Sequence, residues 1–131
     1  MTVISILKCP EFEKDLKRLC KKYLSLEKEF WRLEEALKLV PILVHSERIN
    51  GLWQEILLPV YKLRRIRCDS LQSTTKLRLI YAYDDTKQEI HFIQFLEMYA
   101  KGEQEVEDRG RIEKYLKGRK GLGEDEGENL W

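Results

Sequence analysis

Six cationic side chains crowd one stretch of this chain. Lys62, Arg64, Arg65, Arg67, Lys76 and Arg78 fall between Val60 and Arg78 against the single anion Asp69, although all 131 residues together carry a net charge of only +1. The segment PVYKLRRIRC, 59–68, holds four of these cations and still reads as a β-strand. Side chains alternate along a strand, so Lys62 and Arg64 share a face with Val60 and Ile66, while Arg65 and Arg67 share the other with Tyr61 and Leu63. On the next strand Arg78 lies with Lys76 and Ile80, opposite Leu77, Leu79 and Tyr81, the more convincing core set. If Lys62, Arg64 and Arg78 point to one open face, three cations converge there. Lys101, just beyond the last expected strand, stands where it can join them.

Such a cluster suits a phosphodiester. Cleavage of RNA needs the 2′-oxygen deprotonated, the phosphate charge neutralised as it builds, and the leaving oxygen protonated. Arginines clamp phosphate, and a lysine crowded by other cations gives up its proton more readily. A basic sheet face that binds phosphate or an acidic partner without doing chemistry accounts for the same residues.

The elements that position these groups follow from periodicity. Thr2–Lys8 is β-branched and apolar and reads as a first strand, closed by Pro10. Phe12, Leu16, Leu19 and Tyr23 recur at helical spacing from Glu11 onward. Ser25 is placed to cap a second helix with Leu26, Phe30, Leu33, Leu37 and Val40 on its apolar face, ending before Pro41. Residues 41–59 read as irregular, with a turn at Asn50 and Gly51. Three strands follow, Val60–Cys68, Leu77–Tyr83 and Glu89–Met98, the last two joined by a turn at Asp84 to Lys87. A final helix is expected over Glu103–Leu116, its acidic start suited to the helix dipole. The order β, α, α, β, β, β, α predicts an α+β domain over 1–117, with an N-terminal strand and a helical hairpin packed on a mainly antiparallel sheet and a C-terminal helix. The segment 118–131 is glycine-rich and acidic, and reads as a flexible charged tail.

Other chemistry is poorly supplied. His45 and His91 are far apart in sequence, and no glycine-rich phosphate loop or nucleophile elbow occurs. Cys9, Cys20 and Cys68 form no metal-binding or disulfide pattern and read as reduced thiols. No metal and no cofactor is expected. The start of the chain lacks the features of a secretion signal and no apolar run is long enough to span a bilayer, so a cytoplasmic protein without membrane contact is expected.

The segments FEKDLKRLCKKYLSLEKEFWRLEEAL, PVYKLRRIRCDSL, KLRLIYAYDDTKQEIHFIQF and YAKGEQEVEDRGRIEKYL, in this order and spacing, resemble the RelE/ParE superfamily of toxins from type II toxin-antitoxin systems. The resemblance runs from about Thr2 to Leu116. It implies a RelE-like fold and an mRNA interferase, a ribosome-dependent endoribonuclease that enters the 30S A site, cuts mRNA and is silenced by a cognate antitoxin protein. By position, Lys62 and Arg64 match the basic pair that follows the strand tyrosine, Arg78 matches the arginine of the R-L-x-Y strand, and Lys101 matches the lysine after the last strand. These four are the candidate catalytic residues, with Arg65, Arg67, Lys76 and Tyr81 as candidate RNA contacts. The chain departs from its apparent relatives in two places: positions Gly102 and Asp108, after the last strand, hold neither the arginine nor the tyrosine that some members place there, and QSTTKLR replaces a glycine-rich turn. A ParE-like inhibitor of DNA gyrase and a catalytically inactive binding module with this fold are the alternatives.

Overall fold

Val3–Lys8 forms β1, Pro10–Lys22 α1 and Leu26–Leu39 α2. Ser46–Arg48 forms β2, Val60–Leu63 β3, Leu77–Asp84 β4, Ile90–Ala100 β5 and Arg109–Leu116 α3. This computed structural model describes residues 2–43, 45–64, 66 and 77–123. The strands make one sheet in the order β1-β5-β4-β3-β2. The β1–β5 pair is parallel and the other pairs are antiparallel. The α+β architecture expected from the sequence is the one observed.

Local chemistry explains the hairpin. Pro10 opens α1, where its missing N–H costs nothing, Glu11 and Glu13 sit in the first turn and Lys21 and Lys22 in the last, each sign placed to favour the helix dipole. The expected cap on α2 is not made: Ser25 has helical dihedrals and its side chain makes no capping hydrogen bond. Helix α2 is held instead by its apolar stripe. Leu26, Phe30 and Leu37 are buried, whereas Val40 lies past the helix end and is exposed. Phe12, Phe30 and Phe95 form an aromatic knot with ring centroids 5.1 to 5.6 Å apart. Around it pack Leu19, Leu63, Leu77, Leu79, Tyr81 and Ile93, all buried.

The opposite face of the sheet is not open along its length, contrary to the expectation from sequence. Val60, Ile80, Ala82 and Leu96 pack there under Ile112 and Leu116 of α3, together with Leu58 and Leu122, in a second core. Leu122 is fully buried and its N–H donates to Asp84 Oδ2 at 2.8 Å. At Gly123, with φ +81°, a Cβ would sit 2.6 Å from the Phe92 ring, so only glycine allows this approach. The segment expected to be a flexible tail from Gly118 is therefore docked through residue 123; 124–131 lie outside the described residues.

Two further expectations are corrected. Residues 41–59 contain β2, whose three residues, two of them charged, are too few to show a strand period. The last helix starts at Arg109 rather than Glu103, because Asp108 is the N-cap and accepts from the Arg111 N–H. The turn before it is tied to the sheet: Gln104 Nε2 and the Asp108 N–H both donate to the Glu97 carboxylate.

The position of that carboxylate depends on a β-bulge. Ile80 pairs with Glu97 but Tyr81 pairs with Phe95, so Leu96 is an extra residue in β5. Leu96 O accepts from Arg111 Nη1 at 3.0 Å and from Cys9 Sγ at 3.4 Å, and the Met98 N–H donates to Asp15 Oδ2 at 3.1 Å. An Asp15–Arg111 ion pair of 2.6 Å closes this clamp. The extra residue reverses the alternation. Met98 and Ala100 join the helix-side core, and Glu97 and Tyr99 turn to the other face beside Ile80 and Arg78.

Candidate phosphate-binding face

Three adjacent strands gather charge at one end of the second face. Lys62 is the register partner of Ile80, and Arg78 that of Tyr99. Lys62 and Arg78 are thus diagonal neighbours across β3 and β4, about 7–8 Å apart by strand geometry. The register continued by one residue sets Arg64 across from Arg78, and the Arg64 N–H extends the ladder by donating to His45 O at 3.1 Å. Like charges opposed in this way cost stability unless anions answer them. Two do so: Glu47, on β2, meets Arg64 Nε at 3.0 Å, and Glu107, in the turn before α3, meets Lys62 Nζ at 2.6 Å.

The two pairs differ in solvent access. Arg64 and Glu47 keep 39% and 61% of their side-chain surface exposed, so their attraction is screened. Lys62 and Glu107 keep 14% and 5%. The Glu107 Oε2 atom also takes Arg109 Nε at 3.1 Å, whereas buried Oε1 meets, among the described residues, the Lys62 ammonium and no other donor. Burial by itself pushes the Glu107 carboxyl upward, but Lys62 and Arg109 outweigh it and hold the group below the usual carboxylate range. Arg78 is half-buried, with Nη1 donating to Leu77 O at 3.1 Å.

Tyr99 closes the cluster, and reasoning from sequence missed it. It is 2% exposed. Burial first, then the charges of Glu107 and Glu97, push its hydroxyl up to about 12, against a smaller opposing pull from Arg78 and Arg64. At neutral pH the group is a protonated hydrogen-bond donor and not a base. Burial likewise raises the Glu97 carboxyl, although its bonds from Asp108 and Gln104 oppose the effect. Strict alternation from Phe95 assigns Tyr99 to the helix side, and only the bulge reverses that. A tyrosine is therefore present on the basic face within β5, not after it.

The remaining candidates separate. Lys101 is exposed in the turn directly after β5, next to the start of β4, at the same end of the sheet as Arg78. Tyr81 is not an RNA contact in this structure: it faces the helices, is fully buried, stacks on Tyr61 at 5.6 Å and donates to Pro41 O at 2.8 Å. Its register neighbours Leu79 and Tyr83 lie in the same core, which is the physical reason for the correction. Arg65, Arg67 and Lys76 lie outside the described residues. Glu103 is drawn away by Lys22 at 2.7 Å and Arg18 at 3.5 Å on α1. Of the histidines, His91 stays apart from the cluster, its Nδ1 2.7 Å from the Tyr83 hydroxyl, whereas His45 adjoins it through the carbonyl that accepts from the Arg64 N–H.

Chemically, the face offers two kinds of group to a phosphodiester: cations to neutralise its oxygens, from Lys62, Arg64 and Arg78, and a neutral hydroxyl donor from Tyr99. Among the described residues no group of three or more His, Cys, Asp or Glu side chains is arranged to hold a metal ion. No helix among them is long and apolar enough to cross a membrane. Comparison with family models, curated proteins and solved structures returns no match for this chain.

Proposed function

We propose that this protein is the toxin of a type II toxin-antitoxin system, a cytoplasmic, ribosome-dependent endoribonuclease of the RelE kind that is neutralised by a cognate antitoxin. One observation carries the reading: Lys62, Arg64 and Arg78, chosen from sequence, occupy neighbouring positions on one face and share it with a buried, protonated tyrosine. In this reading Arg78 and Arg64 neutralise the scissile phosphate as charge develops, Lys62 assists there, and Tyr99 supplies a hydrogen bond to a phosphate oxygen or the leaving oxygen. Lys101 holds the RNA at the rim of the face.

The test is transcript-wide mapping of 5′-hydroxyl RNA ends minutes after a pulse of expression, with Arg78→Ala in parallel. New ends within translated frames that vanish in the variant are the expected outcome. Growth arrest without such ends would point instead to a ParE-like action on gyrase.

A second reading has an observation of its own. Lys62 and Arg64 are both already engaged by carboxylates, which favours a binding module that meets acidic partners through Arg78 and Lys101 and cuts nothing. Normal growth with a soluble product would select it.

A further inference from the structure

The Lys62–Glu107 pair is unusual for a solvent-facing site. A buried ion pair pays desolvation on both groups, and apolar residues of similar size often replace such a pair without loss of stability. Here the cost falls on an oxygen that, among the described residues, receives no hydrogen bond from any other donor. Glu107 is also aimed with care. The Asp108 N–H and Gln104 Nε2 fasten its turn to Glu97, Arg109 holds Oε2, and Arg109 Nη1 is itself fixed by Gly51 O at 3.2 Å.

We infer that Glu107 is a positioning residue, whose buried carboxylate is the counter-ion that holds the Lys62 ammonium in place and aims it across the face shared with Arg78 and Tyr99. The charged and titratable groups around Lys62 explain why one is needed. Arg64 stands on its own strand, Arg78 on β4 and Arg109 on α3, all cationic, while Tyr99 on β5 is neutral. Glu47 on β2, its register partner, is committed to Arg64, and Glu97 on β5 to the turn that carries Glu107. Without Glu107 the ammonium of a lysine only 14% exposed would have arginines on its own strand, on β4 and on α3 and no carboxylate to hold it against their repulsion. With Glu107 the ammonium is held on the face that a phosphate oxygen would approach.

The inference rests on the proposed ribonuclease reading only for its catalytic arm, so the experiment has two arms. In the first, hydrogen exchange of the Lys62 ammonium is followed by NMR in the isotope-labelled full chain, wild type against Glu107→Gln and the conservative Glu107→Asp. Exchange should be about tenfold or more faster in Glu107→Gln, with Glu107→Asp between the two. An unchanged exchange rate overturns the inference. Should Glu107→Gln fail to fold, the wild-type protein decides alone: a Lys62 ammonium that exchanges its protons as fast as exposed lysines do is not held by a buried counter-ion.

In the second arm, single-turnover mRNA cleavage on programmed ribosomes is followed at saturating and sub-saturating ribosome. Glu107→Gln should slow the saturated rate of the folded protein about tenfold or more, with little change in the ribosome concentration needed, and Glu107→Asp should restore part of the rate. A purely structural ion pair would lower the folded fraction and leave the rate of the folded protein unchanged. Cleavage by Glu107→Gln at or above the wild-type rate overturns the inference and makes Glu107 a restraint. A wild-type protein that cuts nothing sinks the ribonuclease reading and leaves the exchange arm intact.

Discussion

Tyr81 and Tyr99 are both buried, both have hydroxyls pushed up to about 12, and lie on opposite faces of the same sheet. For Tyr81 burial is the main cause, and its hydroxyl is already bonded to Pro41 O and lies 3.0 Å from Ser46 Oγ. For Tyr99, too, burial leads, but the next causes are two carboxylates, opposed by two arginines. One tyrosine finishes a core and the other sits inside a field of opposed charges. The difference is one of how the polar groups are satisfied: by uncharged partners at Tyr81 under the helices, but on the other face by ion pairs between β2 and β3 and between β3, the turn before α3 and α3 itself.

The sharpest blow to the helix-side face is Phe95→Ala. It removes the shared member of the aromatic knot and should cost about 3–5 kcal/mol, read from urea unfolding. A loss below about 1 kcal/mol would mean that the knot is not the centre of that core. The corresponding blow to the charged face is to the bulge clamp. Arg111→Met leaves Asp15 without its partner and Leu96 O with a weaker donor, and should cost about 3 kcal/mol. It should also alter the Tyr99 side-chain resonances more than those of Tyr81. Equal changes at both would show that the bulge does not depend on the clamp.

The two tyrosines can be set against each other directly. Tyr81→Phe strands Pro41 O and Ser46 and should cost about 1–2 kcal/mol while leaving cleavage by the folded protein as it was. Tyr99→Phe should lower cleavage about tenfold or more at comparable stability. The reverse pattern would exchange the roles assigned here.

Alkaline titration extends the comparison. Each hydroxyl is raised from 10.0 to about 12 in the folded chain, so the unfolded chain ionises first as pH rises. The stability contributed is whole below pH 10 and is lost progressively as pH climbs towards 12. Tyrosinate absorbance should therefore show Tyr81 and Tyr99 ionising late in the native protein, with the late amplitude reduced by one group in each Phe variant. The smallest effect belongs to the exposed pair: Glu47→Ala should change stability by about 0.5 kcal/mol or less, measured in the same unfolding assay.

Much of the helix-side face was legible in the chain because its periods are regular. Phe12, Leu16, Leu19 and Tyr23, and then Leu26, Phe30, Leu33 and Leu37, recur every three or four residues, and Leu77, Leu79 and Tyr81 every two, so each element announces which side is buried. The grouping of Lys62, Arg64 and Arg78 was legible for the same reason, being a matter of alternation within two strands. Their anionic partners were not. Glu107 read as one of several acids at the start of a helix, and nothing local distinguishes it from Glu103 or Glu105. Strand β2, which supplies Glu47, was too short to carry a pattern.

By itself the sequence determined the α+β class, the hairpin, the helix-side core and the sign of the charge on β3 and β4, since these follow from side-chain type and a constant repeat. Tertiary structure alone decided that residues 118–123 dock, that Leu96 bulges, and that Tyr99 and Glu107 therefore meet Lys62 and Arg78. A bulge breaks the repeat from which a face is inferred, and an ion pair between residues 62 and 107 is stabilised only after the sheet and the turn before α3 are both in place.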